Sequence, residues 1–358
     1  MTQQLKSIQA LRGLACLAVV TFHFRYQIQE QYPALANLLS TGVVGVDLFF
    51  ILSGFVITLS VSRMGTGFAA AGDFLKRRAL RLLPAYFILL LINFFLSGGM
   101  ATFHYAEKTQ AVISAATLSV YLPQHAPFYV DDNGFMGVRW TLNYEFLFYL
   151  MMAVCLLVRA RWAALAAMLG AVLVAVPMAA GHQPTLQVSG YDMGYAYLNL
   201  MTNPIIWQFA AGVLIGLVYP HMARLPVAMR VPFLLAAVAL FVQHIISHQN
   251  IGHGMMASGT VLALLLAAVA FNDSWLGRIT PRWLVFLGDI SFSVYLIHIV
   301  TKARLAKAFT DQGMTFFVCN VLLALLLGWL SYRYIEPIGQ KIARRRREKA
   351  LRTAGNDA

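Results

Sequence analysis

Charged residues are scarce in this 358-residue sequence. Asp, Glu, Lys and Arg together make 11% of it, against 59% hydrophobic residues. Soluble domains are about half apolar and about a quarter charged. This chain therefore has too little charge to cover a water-facing surface, which excludes a soluble enzyme and a disordered scaffold. Cysteine is nearly absent as well. Cys16, Cys155 and Cys319 lie inside apolar runs without paired spacing, which excludes a disulfide-stapled secreted domain and predicts no metal site. The sequence lacks a glycine-rich Walker loop, so nothing points to ATP hydrolysis, and no Gly-x-Ser-x-Gly elbow supports a serine acyl-enzyme. Acidic residues number 14 against 27 Lys and Arg, a net charge of +13. Nucleic acid is a common partner of such an excess, but the way the charge is distributed points elsewhere.

What the chain has in abundance is long apolar segments, with a mean hydropathy of +0.68. A bilayer-crossing helix needs about 20 apolar residues. Such segments are predicted near 8–27, 41–62, 80–98, 140–158, 162–180, 203–219, 231–248, 255–271, 283–300 and 315–335. Segment 110–122 is apolar but short and ends at Pro123, which fits an interfacial or re-entrant helix or a partial span. The expected fold class is all-α, a polytopic transmembrane helical bundle with about ten spans. Lys and Arg accumulate on the cytoplasmic side of such proteins. With both termini cytoplasmic, 21 of them fall inside and 6 outside, so most of the +13 is topological and nucleic acid is not an expected partner. Lys6 before an apolar stretch has the look of a signal peptide, but Arg12 interrupts it, and His23 and Arg25 stand where small cleavage-site residues belong. A retained first span is predicted. The expected organisation is a transmembrane domain over 1–340 and a basic cytoplasmic tail over 341–358 touching anionic lipid, with no soluble domain attached.

Ionisable groups inside spans are costly and usually line a cavity or a substrate path. The first span carries Arg12 and His23, eleven helical steps or about 16 Å apart. That puts Arg12 near the cytoplasmic face and His23 toward the outer one, where snorkelling and interfacial hydrogen bonding are the plain alternatives. The second span carries Asp47 within Gly42-Val43-Val44-Gly45-Val46-Asp47. Descending from outside, it is expected to bring Asp47 to the depth of His23, where a carboxylate fixes a tautomer and raises basicity; a helix-capping Asp is the alternative. Lys76-Arg77-Arg78-Ala79-Leu80-Arg81 reads as a topology anchor or as a phosphate clamp. The fourth span opens with Trp140, Tyr144 and Glu145; the aromatics suit an interface belt or a sugar-stacking surface. The ninth carries Asp289 and ends at His298, again at the outer level. His244, His248 and His253 surround a short loop and are weak ligand candidates. Phosphate-capable arginines collect on one side, and His23, Asp47, Glu145 and His298 on the other. A protein that moves a group from a cytoplasmic donor to an external acceptor needs this division. A secondary transporter or glycan flippase also shows it, although no inverted repeat or pair of broken helices is visible. A sensor or scaffold would account for the spans but not for the clustered His, Asp and Glu.

From Ile8 to Glu336 the chain resembles the acyltransferase-3 family of integral-membrane acyltransferases. The resemblance is carried by Ile8-Gln9-Ala10-Leu11-Arg12-Gly13-Leu14-Ala15 with His23, an Arg-x10-His pattern, and by Gly45-Val46-Asp47-Leu48-Phe49-Phe50-Ile51-Leu52-Ser53-Gly54-Phe55. It continues through Arg77-Arg78-Ala79-Leu80-Arg81-Leu82-Leu83-Pro84, Trp140-Thr141-Leu142-Asn143-Tyr144-Glu145 and Ser291-Phe292-Ser293-Val294-Tyr295-Leu296-Ile297-His298. The Trp-Thr-Leu-Asn-Tyr-Glu form is most similar to the exopolysaccharide-production branch that modifies succinoglycan-type polymers. The resemblance implies transfer of an acyl group, usually acetyl, from cytoplasmic acetyl-CoA to a carbohydrate hydroxyl across the bacterial inner membrane. It implies His23 as the catalytic histidine and Glu145 as the motif acid that aligns the acceptor; Asp47, expected at the depth of His23, completes the catalytic set. Arg12, Arg77, Arg78 and Arg81 are then the CoA-binding set, and Trp140, Tyr144 and His298 the acceptor-binding set. No metal is implied. The implied partners are the carbohydrate acceptor, the bilayer and glycan-synthesis machinery.

Overall fold

The computed structural model describes residues 4–131, 135–305, 313–339 and 341–342. Most of the basic tail predicted over 341–358 lies outside the described residues. Among these all regular secondary structure is helical, with no strand. In chain order the helices are α1 Lys6–Phe24, α2 Pro33–Ser40, α3 Val44–Val61, α4 Phe68–Leu96 and α5 Ala106–Thr117. Then come α6 Trp140–Cys155 and α7 Arg161–Gly170, the latter continued by a π turn into α8 Val176–Ala179. They are followed by α9 Ala196–Thr202, α10 Trp207–Met222 and α11 Val227–Ser247. Last are α12 Thr260–Phe271, α13 Asp273–Ile279, α14 Arg282–Leu305 and α15 Met314–Tyr334.

Eight helical stretches of the described residues are long and apolar enough to cross a bilayer. The stretch Met255–Phe271 and α13 together make a ninth, bent by 83°. The remaining predicted span, 140–158, is realised as α6, whose 16 residues reach about 24 Å, short of the roughly 30 Å hydrocarbon core. Segment 110–122 does not cross: α5 stops at Leu118, which adopts a left-handed φ of 51°. Beyond it the chain folds inward, burying Tyr129 and Arg139. Asn203 donates to the Tyr129 hydroxyl at 2.9 Å, and burial pushes that phenol up to about 12. Arg139 donates to Ser114 Oγ, and burial lowers its guanidinium from its ordinary value.

The register of α1 against α14 positions the site. A Cβ on Gly288 would stand 2.0 Å from the Gln9 carbonyl oxygen, and one on Gly13 2.7 Å from Gly288 N. With glycine at both positions the two backbones nearly touch, as small residues allow in membrane helix pairs. Higher up, Cys16 Sγ donates to the Ser291 carbonyl at 3.3 Å, and higher still His23 meets His298. All three pairs share one offset of 275 residues, so the two helices run parallel and in step. Asp273 secures the lower end, accepting from Ser7 N at 2.9 Å and Ser7 Oγ at 2.5 Å. Asp289 accepts from Gln9 Nε2 at 2.8 Å.

α3 runs antiparallel to α1 and uses three faces. Gly42 and Gly45 press against the Ala18 and Ala15 carbonyls. Gly54 packs on Phe209 of α10, where Gly212 in turn meets Ile51. The third face, with Val46, Phe49, Phe50 and Ser53 at helical spacing, looks onto a cavity.

Candidate active site

The cavity has a volume of about 220 Å³ and lies among α1, α3, α4, α6 and α14. Its basic end is made by Arg12, Arg78 and Arg81. Arg81 is exposed and Arg78 half-buried, so this end is the mouth. Glu145 lines the wall, and its Oε1 accepts from Ser53 Oγ at 3.2 Å and from the Tyr149 hydroxyl. Thr141 and Tyr295 line the same cavity away from the arginines. Their hydroxyl oxygens are 3.1 Å apart. Of the four arginines expected at this end, Arg77 is not part of it. It is exposed and paired with Asp73 at 2.6 Å, because one residue along a helix turns the side chain by about 100°.

One turn beyond Tyr295 stands a histidine pair. His298 is fully buried, and its Nδ1 lies 2.6 Å from the Tyr295 carbonyl oxygen. A carbonyl only accepts, so Nδ1 carries the proton and Nε2 of a neutral ring is the acceptor. His23 Nδ1 lies 2.9 Å from the Val19 carbonyl and 3.2 Å from His298 Nε2. It too is therefore the protonated nitrogen, and the basic lone pair of neutral His23 belongs to Nε2. The rings are 4.9 Å apart at 58°. His298, expected to contact the acceptor, is hydrogen-bonded to His23.

Asp47 is not beside His23. It is fully buried, and its carboxylate accepts from Gln208 Nε2, from Gly254 N at 2.8 Å and from His253 Nδ1 at 2.7 Å. The reason is rotational. Two residues past Gly45, Asp47 is turned about 200° from the face that meets α1 and so faces α10. The antiparallel register also carries it away from His23, since Gly42 is already level with Ala18. Trp140 is buried among Phe50, Phe128, Tyr144 and His253. Tyr144 is buried as well, its hydroxyl donating to the Pro127 carbonyl at 2.7 Å, so it packs the core and offers nothing to an acceptor. Sequence reasoning noted His253 only as a weak ligand candidate and missed the partners Gln208, Ser53 and Tyr149. A signal for the last two existed: Glu145 and Tyr149 are four residues apart on one helix face, and Ser53 shares the Phe49–Phe50 face. No group of three or more His, Cys, Asp or Glu is placed to hold a metal among the described residues.

A pocket with a cationic mouth and a tautomer-fixed histidine beyond its inner end suits group transfer. Comparison with known proteins identifies the group. Residues 5–333 match the acyltransferase domain that defines the acyltransferase-3 family. The chain belongs to this family. This acyltransferase is 27% identical to the exopolysaccharide production protein ExoZ of Rhizobium meliloti, over 88% of this chain and 93% of that one. It is 24% identical to the peptidoglycan O-acetyltransferase OatA of Listeria monocytogenes, over 92% of this chain but only 55% of the longer relative. A similar likeness, 27% over about half of each chain, links it to nodulation protein 10 of Rhizobium leguminosarum. No solved structure matches.

Proposed function

We propose that this acyltransferase moves an acetyl group from cytoplasmic acetyl-CoA to a carbohydrate hydroxyl on the opposite face of a bacterial inner membrane, with both of its own termini cytoplasmic. The observation that carries this is the single cavity wall on which Arg12, Arg78 and Arg81 stand at the mouth and Tyr295 one turn below His23 and His298. The residues fit the donor. Guanidinium groups match the phosphates of the CoA nucleotide bidentately. A volume of about 220 Å³ is below the roughly 300–1,000 Å³ of pockets that enclose drug-sized ligands, so it suits the pantetheine arm and thioester with the nucleotide left at the mouth. Bound there, acetyl-CoA supplies an activated carbonyl. A sugar hydroxyl is a poor nucleophile near neutral pH, and His23 Nε2 takes its proton as the oxygen attacks, then returns it to the departing thiolate. His298 holds the ring so that Nε2 is the basic atom. Glu145, fixed by Ser53 and Tyr149, sets polarity between mouth and inner end and aligns the acceptor. Asp47 belongs to the support of the same bundle through His253 and Gln208. The exopolysaccharide, lipopolysaccharide or lipid-linked glycan of a synthesis system is the acceptor class.

The test is incubation of the purified protein with labelled acetyl-CoA and a bacterial surface polysaccharide, followed by mass spectrometry of the glycan. Acetyl ester is expected with the native chain and none with His23→Ala at equal membrane insertion. Equal ester from the variant contradicts the assignment of His23.

A further inference from the structure

Acyl transfer from a thioester passes through a tetrahedral species in which the carbonyl oxygen becomes an oxyanion. Inside a membrane domain that charge needs fixed donors, because little water is there to supply them. The arginines stand at the mouth, where a phosphate group takes them. The Ser53 and Tyr149 hydroxyls are already committed to Glu145, and Ser291 Oγ donates to the Gly288 carbonyl at 2.8 Å. Two hydroxyls of the cavity wall are held differently. Thr141 Oγ1 and the Tyr295 hydroxyl lie 3.1 Å from each other, and both converge on one resting acceptor, the Val138 carbonyl, at 3.1 Å and 3.3 Å. Two donors trained on a single oxygen is the arrangement an oxyanion requires. Moving that focus to the cavity side needs only rotation of two O–H bonds, since both residues line the cavity already. Tyr295 is also rigid: it is 8% exposed, Phe49 stands edge-on 5.9 Å away, and its own carbonyl anchors His298.

We propose that Thr141 and Tyr295 form the oxyanion-binding site of this enzyme, receiving the thioester carbonyl oxygen of the acyl donor. The inference rests on the acyltransferase reading above. In the step, the acceptor oxygen forms a bond to the carbonyl carbon while its proton passes to His23. The carbonyl π pair moves onto oxygen, where the two hydroxyls donate to it. Collapse restores the carbonyl, breaks the C–S bond and releases the thiolate, which takes the proton from His23. Were His23 itself acylated first, the same oxygen would still carry the charge, so the site serves either route. It also couples the two halves of the machinery, because the residue that holds the oxyanion through its hydroxyl holds the histidine pair through its backbone.

The experiment measures acetyl transfer with the full-length chain in detergent or nanodiscs, at varied acetyl-CoA, for the native protein, Tyr295→Phe, Thr141→Val and Thr141→Ser. Removing one oxyanion donor costs about 100- to 1,000-fold in kcat. Tyr295→Phe and Thr141→Val are each expected to fall by that order with KM for acetyl-CoA nearly unchanged. Thr141→Ser, which keeps the hydroxyl, is expected to recover most of the rate. Thermal unfolding of each variant identifies any loss that comes from misfolding. Should Tyr295→Phe prove unstable, the Val and Ser pair at position 141 decides the matter. Native kcat in both hydroxyl-less variants overturns the proposal, as does a change confined to KM, which would make the pair a donor-binding contact. Absence of transfer by the native chain overturns the acyltransferase reading itself and the proposal with it.

Discussion

Gly45 and Asp47 are two residues apart and face different helices, and this rotation separates what the residue pattern disclosed from what it left hidden. Gly45 packs against α1, whereas Asp47 turns to α10 and binds Gln208, Gly254 and His253. The same geometry divides the basic run on α4. Arg78 lines the cavity while Arg77 pairs with Asp73 in the open. Arg78→Ala is therefore expected to raise KM for acetyl-CoA by about 10- to 100-fold, the equivalent of the roughly 1.5–3 kcal/mol of a hydrogen bond to a charged group. Arg77→Ala should leave it within about twofold, because exposed ion pairs contribute little. Initial-rate kinetics on the two variants check this, and equal effects would contradict the placement. At this scale the sequence disclosed which residue types matter, since a carboxylate or imidazole inside a span needs a reason. It did not disclose their partners. Partners depend on rotation about the helix axis, so His23 received His298 in place of Asp47, and Tyr144 went into the core against the Pro127 carbonyl.

Among the elements, the parallel pair α1 and α14 bears the most weight. Its helices were legible as apolar runs with polar interruptions, but their pairing was not, because no local period links residues 275 positions apart. The trace it left is glycine at Gly13 and Gly288, where a Cβ has no room. Gly288→Ala is expected to destabilise by about 1–3 kcal/mol through overpacking and to spread the histidine pair, lowering both the thermal midpoint and acyl transfer. Gly72→Ala, at an exposed position of α4, is the control, since nothing lies within 4 Å of its Cβ position and alanine favours a helix. A midpoint unchanged in the first variant would contradict the close α1–α14 contact. Lengths were less legible than existence. α6 is shorter than its apolar run, and just past the eighth predicted span the chain bends by 83° into α13, with Asn272 ending one helix and starting the next.

At the scale of the whole molecule, the directions of α1, α3 and α14 fit the alternation expected of ten crossings. The first and ninth predicted spans run parallel through α1 and α14, and the second runs antiparallel to the first. The scarcity of charge acquires its meaning here. Three arginines stand at one end of a cavity and a histidine pair beyond the other, and in the proposed reaction these two ends meet donor and acceptor from opposite sides. Sidedness is thus the central claim, and sealed membrane vesicles test it most directly. Labelled acetyl-CoA, which does not cross a bilayer, is supplied outside inverted vesicles that enclose the polysaccharide acceptor. The account predicts acetyl ester on the enclosed glycan, lost in His23→Ala, and none when the same donor is given outside right-side-out vesicles. Ester formed on glycan sharing the donor's compartment, with the enclosed glycan left unmodified, would contradict it.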